Sequence, residues 1–360
     1  MVIVQVVAFV VGLVVVIGVS LSAIRTVVLP RGQAVWLSHL LFVNMRKVFD
    51  LRARLAKTYQ DRDRIMALYA PLTLVLLPGV WVLLVIAAFT PMFWALGSPS
   101  WQSALEASVS SITTLGISPP PTFATTLLAA GEALIGLGLI ALLISYLPAI
   151  YASYQRRELL VCLLEVRAGE PPSALVLLRR HHQIGSLDRV VPLFSSWETW
   201  FADIEETHTS QGSLSFFRSP LAGRSWITAA GAVLDAAALT QSTVDMGPAP
   251  EAALCLRAGF LALRRIAAFF GIPFDADPAP DAPIAVDRSE FDAVYDEMAA
   301  AGIALRSDRD QAWRDFAGWR VNYDRVLIAL AGLTMAPLAP WSSDRSVRVR
   351  VSQRPAVNRP

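Results

Sequence analysis

From Ile65 to Gln155 the chain carries no Lys or Arg, and Glu106 and Glu132 are the only charged side chains in that stretch. A stretch so poor in charge cannot cover the outside of a water-soluble domain. It is long enough for two membrane-crossing helices, each of which needs about 20 apolar residues. Two segments meet that need, Met66–Gly97 and Phe123–Tyr151. A third apolar segment, residues 1–24, contains no charged side chain. A cleaved signal peptide is the rival reading there, but no basic n-region precedes the apolar run, so we read a transmembrane anchor. Composition agrees: hydrophobic residues make up 54% of the chain and charged ones 17%, against about 25% charged in a typical soluble domain. The apolar weight falls almost entirely in the first 150 residues, so a membrane part is expected to precede a soluble domain.

Charge then sets the orientation. Arg25–Arg64 holds nine basic residues against Asp50, Asp61 and Asp63, which places residues 25–65 on the cytoplasmic side by the positive-inside rule. The chain is therefore expected to be a multi-pass protein of the cell membrane, with its N-terminus outside and its C-terminal domain cytoplasmic. Within this basic segment, Leu37–Lys57 spaces Leu40, Leu41, Val43, Val48, Leu51 and Leu55 as a helix does, with basic residues between them. That pattern suits an amphipathic helix lying on the inner leaflet. His39 has no partner in sequence for a binding role. Pro71 and Pro78-Gly79 are expected to bend the second span.

Between the last two spans, Ser98-Pro99-Ser100 reads as a helix start, and Trp101–Thr113 is too short to cross a bilayer at about 1.5 Å per residue. The chain turns at Gly116 and leaves through Pro119-Pro120-Pro121. The polar run Ser110–Ser118 must be exposed, buried in protein or lining a water-filled path, because lipid cannot satisfy its backbone groups. Gly131, Gly136 and Gly138 lie on the first half of the last span, where they allow close helix packing or a hinge. Pro148, near the inner end, would kink the helix, at a gate or at a plain helix exit.

A span, a short helix, Thr113-Thr114-Leu115-Gly116 and a second span resemble the two-transmembrane pore domain of the potassium channel family, over roughly Tyr69–Arg157. That family carries Thr-Thr-Val-Gly-Tyr-Gly-Asp after its pore helix, where this chain reads Thr113-Thr114-Leu115-Gly116-Ile117-Ser118-Pro119. The stretch from Glu132 to Ile144 looks like the inner helix of bacterial members with two spans. The resemblance implies a re-entrant pore helix and an ion filter over Thr113, Thr114, Leu115, Gly116, Ile117 and Ser118, in which the Thr114 hydroxyl and the carbonyls of Thr114, Leu115, Gly116 and Ile117 face the ion path. It further implies a homotetramer in the lipid bilayer, potassium or another monovalent cation as the permeant ion, and no cofactor. Ser118 stands where the family has its second glycine. A left-handed backbone there would cost about 1–2 kcal/mol per chain, so either the outer filter takes another path or packing compensates. Ile117 replaces the family's tyrosine, and a wider, less rigid outer filter is expected. Glu132 is either a structural hydrogen-bond partner for the short helix or one of a ring of carboxylates drawing in cations; Glu106 is expected to stay solvated at the outer rim. The alternative function is a non-conducting membrane scaffold or sensor that retains the pore fold.

The remaining residues, 156–340, read as a helical cytoplasmic domain. Helical patterns fall at roughly 173–183, 186–207, 220–243, 250–271, 288–302 and 308–338, and no alternating strand pattern competes. Ala252–Ile272 contains Arg257, Arg264 and Arg265 and is better read as a packed helix than as a span. Val326–Pro340 is short for a span and suits a buried core helix. Residues 341–360, with Arg345, Arg348, Arg350, Arg354 and Arg359, read as a disordered basic tail able to touch anionic lipid. Cys162 and Cys255 lack any metal or disulfide spacing and are expected to be small buried hydrophobes. No dinucleotide, Walker, zinc-protease or catalytic-triad pattern is present, so no enzyme is expected. A formal net charge of +2 gives no reason to expect nucleic-acid binding. The fold class expected is an all-α membrane protein with three transmembrane helices.

Overall fold

A computed structural model of the chain describes residues 2–27, 36–185 and 187–346. These residues form helices and no strand, apart from an isolated antiparallel bridge between Val244 and Leu305. They divide into two compact units, Met1–Leu51 with Leu68–Tyr151, and Arg52–Ala67 with Ala152–Pro360.

The first unit contains α1 (Val2–Val27), most of α2 (Trp36–Arg54), α4 (Tyr69–Ala95), α5 (Trp101–Ile112) and the first part of α6 (Phe123–Ala168); α3 (Tyr59–Ala67) belongs to the second. Three helical segments are long and apolar enough to cross a membrane: Val2–Val27, Tyr59–Ala95 and Phe123–Ala168. The chain is thus a membrane protein by the length and composition of its helices. Side chains such as Val6, Val14, Ile17, Leu83 and Ile144 are exposed and apolar, the pattern of a surface solvated by lipid tails.

α1 packs on α4 at Gly12, where an added Cβ would lie 2.5 Å from the Ala88 carbonyl oxygen and 2.6 Å from the Met92 side chain. Val16, Val19, Leu77, Trp81, Val85 and Phe89 continue that core. The bend expected at Pro71 appears as a break at Leu68, which separates α3 from α4. Pro71 has no N–H for the Ala67 carbonyl, and its ring crowds that carbonyl, so it is best accommodated in the first turn of a new helix. Pro78 and Pro91, in contrast, lie inside a helix that continues through both.

In the second unit, α9 (Trp226–Ser242) is buried at every residue except Gln241. Around it pack α7 (Ala174–Gln183), α8 (Val190–Ser210), α10 (Pro250–Phe269), α12 (Arg309–Arg320) and α13 (Asp324–Thr334), while α11 (Arg288–Ala300) packs on α7. The alanine-rich sequence of α9 lets neighbours approach closely on all sides. Its one charge, Asp235, accepts from the Tyr323 hydroxyl at 2.8 Å and from the Arg320 guanidinium. Arg320 also pairs with Asp324 at 2.9 Å and donates to the Trp341 carbonyl. Burial alone would lower the Arg320 pKa, but the neighbouring Asp235, Tyr323 and Asp324 outweigh it and push the pKa upward.

The single helix expected over 308–338 is broken between α12 and α13. The Asn322 side chain turns back onto the Gly318 and Trp319 carbonyls at 3.0 and 3.2 Å, satisfying helix-end acceptors, and the break lets both Arg320 and Tyr323 reach Asp235. α13 has 11 residues and is largely buried, as expected of a core helix. The tail expected from Trp341 starts later: Trp341, Ser342 and Ser343 are buried, and Arg345 donates to the Ala285 carbonyl and pairs with Glu290. Residues 347–360 lie outside the described residues. Cys255 is buried, whereas Cys162 is exposed, contrary to expectation, and accepts from the Arg224 guanidinium at 3.4 Å.

Two further arginines, Arg157 buried and Arg218 mostly so, organise this unit. Arg157 donates to the Leu214 and Phe217 carbonyls at 2.7 and 2.8 Å and lies 3.3 Å from His208 Nε2. Burial, reinforced by the Arg157 charge, lowers the His208 pKa well below that of a free imidazole. Arg218 pairs with Asp63 of α3 at 2.7 Å and donates to the Thr334 carbonyl at 2.6 Å. The Tyr154 hydroxyl donates to the Arg218 carbonyl at 3.0 Å.

Candidate functional site

The residues singled out as a filter follow α5, and the local sequence accounts for how that helix begins and ends. Gly97, at φ +105°, turns the chain out of α4, and Trp94 stacks on Trp101 with ring centroids 5.2 Å apart. Ser100 is the N-cap, closing a reciprocal capping box with Ser103. At the other end the Thr114 N–H bonds to the Ser111 carbonyl and the Leu115 N–H to the Ser110 carbonyl, both at 3.0 Å. This is a Schellman arrangement with Thr114 in the left-handed position that glycine usually takes; its φ is +56°. Gly116 follows at +69°.

The strained residue is therefore Thr114 and not Ser118, whose φ is not positive. Of the two expected outcomes, the outer end of the turn takes another backbone path. Ser118 donates its N–H to the Ser110 hydroxyl at 3.2 Å. Ser110, buried on α5, thus holds the turn twice, through its carbonyl and through its hydroxyl. Thr113, Thr114, Leu115, Gly116 and Ile117 are all exposed in the single chain, and Ser118 is half-buried. Residues 113–117 of the turn are thus exposed while Ser110 ties down its inner side, and the Thr113 hydroxyl donates back to the Val109 carbonyl.

Glu132, on α6, is fully buried and accepts from the Ser108 hydroxyl of α5 at 2.6 Å. Ser108 is also fully buried and reaches the Ile86 carbonyl of α4 at 3.5 Å. The carboxylate thus faces the short helix inside the unit, and its second oxygen, Oε2, is buried with no hydrogen-bond partner among the described residues. Glu106 is exposed and bonds Gln102 at 2.9 Å.

The three glycines of α6 separate in role. At Gly136 an added Cβ would lie 2.5 Å from the Ile112 carbonyl oxygen, at the end of α5, so this glycine seats α6 against the base of the turn. Gly131 and Gly138 face open space, with nothing within 4 Å of such a Cβ. Pro148 is exposed, and α6 continues past it to Ala168, so it does not end the helix.

Ser108 and Ser110 were not singled out as site residues from the sequence, although Ser110 opened the polar run. A usable signal was present. Ser108 lies one turn beyond Ala104 and beside Ala107 on the small-residue face of α5, while Glu132 is the only charge in the next helix before Arg156. A lone buried acid needs a donor, and the nearest helix offers a buried hydroxyl. Compared with protein-family models, curated proteins and solved structures, the chain matches none.

Proposed function

We propose that the chain is the subunit of a homotetrameric cation channel in which four copies of the Thr113–Ser118 turn surround one axis. The carrying observation is the turn itself: a short capped helix between two span-length helices ends in an exposed, hydroxyl-bearing turn held from behind by Ser110. A cation sheds its hydration shell only where other oxygens replace it, and rings of backbone carbonyls do this in known filters. One chain supplies one strand of such a ring. In this reading α5 is re-entrant, and its negative C-terminal end points toward the ion path. The positive-inside rule puts residues 25–65 and the helical C-terminal unit in the cytoplasm, where that unit serves regulation or assembly. Glu132 acts as a buried strut between α5 and α6.

The test is reconstitution of the full chain in liposomes, with the oligomeric state determined in the same preparation. Potassium-driven flux that barium blocks is the expected result. A second reading has its own observation: Ser118 is tied to Ser110 and does not adopt the left-handed backbone of a second filter glycine. A verified tetramer without flux of any monovalent cation would establish that reading, a non-conducting scaffold or sensor, and a monomer in bilayers would remove both.

A further inference from the structure

α2 is held at two points, the end of α1 and the start of α4. Near its start, Ser38 Oγ lies 2.8 Å from Thr26 Oγ1 at the end of α1. Farther along, the Phe42 carbonyl accepts from the hydroxyl of Tyr69, the first residue of α4, at 3.0 Å, and Phe42 and Phe49 meet the Tyr69 ring edge-on. Leu37 and Leu41 join the core that α1 and α4 share. The helix therefore lies at the level where one apolar span ends and the next begins. A helix at that level borders the headgroup region of a bilayer.

These contacts leave part of its apolar surface uncovered. Trp36, Leu40, Val48 and Leu51 recur along one side, and they are 75%, 43%, 60% and 65% exposed. Lys47, Arg52 and Arg54 are exposed along the same helix, whereas Arg46 is buried against Asp50 at 2.9 Å. An exposed apolar stripe interleaved with basic side chains, on a helix pinned at the membrane boundary, is complementary to acyl chains capped by acidic headgroups.

We infer that the outer face of α2 is a binding surface for anionic phospholipid. Trp36, Leu40, Val48 and Leu51 enter the acyl region, and Lys47, Arg52 and Arg54 pair with phosphate and acidic headgroups. The inference rests on α1 and α4 crossing a bilayer and is independent of conduction.

The test uses the full chain with Val48→Cys in a Cys162→Ser background, labelled with an environment-sensitive fluorophore; the remaining thiol, Cys255, is buried. The protein is reconstituted in mixed phosphatidylcholine and phosphatidylglycerol vesicles in which one lipid or the other carries brominated chains. Strong quenching is expected, with the local phosphatidylglycerol-to-phosphatidylcholine ratio about fivefold above that of the bulk bilayer. Replacing Lys47, Arg52 and Arg54 by Gln should return that ratio to the bulk value while total quenching persists. Absence of quenching by either lipid would show that the face does not meet acyl chains. Equal quenching by both lipids in the unsubstituted helix, or a ratio unmoved by the three replacements, would overturn the anionic preference.

Discussion

Glu132 and His208 are both buried ionisable groups, yet they ask different things of their neighbours. Glu132 needs a donor and has Ser108 at 2.6 Å. Glu132→Gln keeps that bond, so we expect an unchanged oligomer on size-exclusion chromatography, and flux that survives if the carboxylate is only a strut. Loss of flux with assembly intact would instead assign the charge to the ion path. Glu132→Ala leaves the Ser108 hydroxyl with only the longer contact to Ile86, and a buried polar group so stranded costs about 1–3 kcal/mol. His208 needs to stay neutral beside Arg157. Its folded pKa is lowered, so below the ordinary histidine value near 6.5 the unfolded chain binds a proton that the folded chain refuses. Stability is then full above about pH 6.5 and falls, as pH drops below that, by up to about 1.4 kcal/mol per pH unit. Thermal unfolding followed over pH should show a shallower acid-side loss in His208→Gln than in the unsubstituted protein.

Between elements, what matters is how near two backbones can come. Gly136 lets α6 touch the Ile112 carbonyl at the foot of the turn, and a methyl group there meets backbone, which cannot move aside as a flexible side chain can. Gly136→Ala is expected to cost about 1–3 kcal/mol by overpacking and to displace the turn. In the single chain, Gly131→Ala and Gly138→Ala meet no atom within 4 Å, and replacing a helical glycine there gains up to about 1 kcal/mol of helix propensity. Thermal melts of the three variants should therefore rank Gly136→Ala lowest. The glycines look alike in the sequence, and their spacing offers no way to tell the seat from the two open positions. Only the placement of Ile112 separates them. The extent of α5, in contrast, was readable: Ser100 at its head and the hydroxyl run at its tail carry capping signals that act within a few residues.

At the scale of the whole chain, distant segments are joined by buried charges. Arg218 meets Asp63 across 155 residues of sequence, with the two side chains 11% and 10% exposed. Arg218→Met strands the Asp63 carboxylate, and breaking one partner of a buried pair costs about 3–5 kcal/mol. Arg218→Met combined with Asp63→Leu should recover much of that loss, a comparison that a thermal double-mutant cycle would read. The sequence by itself determined that three helices are apolar enough to span a membrane, that a capped short helix and a hydroxylated turn lie between two of them, and that the rest of the described chain is helical. Those features follow from hydrophobic content, periodicity and capping, which act along a few turns of chain. Only the tertiary structure decided that Thr114 and not Ser118 bears the left-handed strain, that Ser110 ties down the turn, and that Glu132, Asp235 and Asp63 find their particular donors. A buried polar group accepts whichever partner helix packing brings within about 3 Å, and spacing along the chain does not encode that distance.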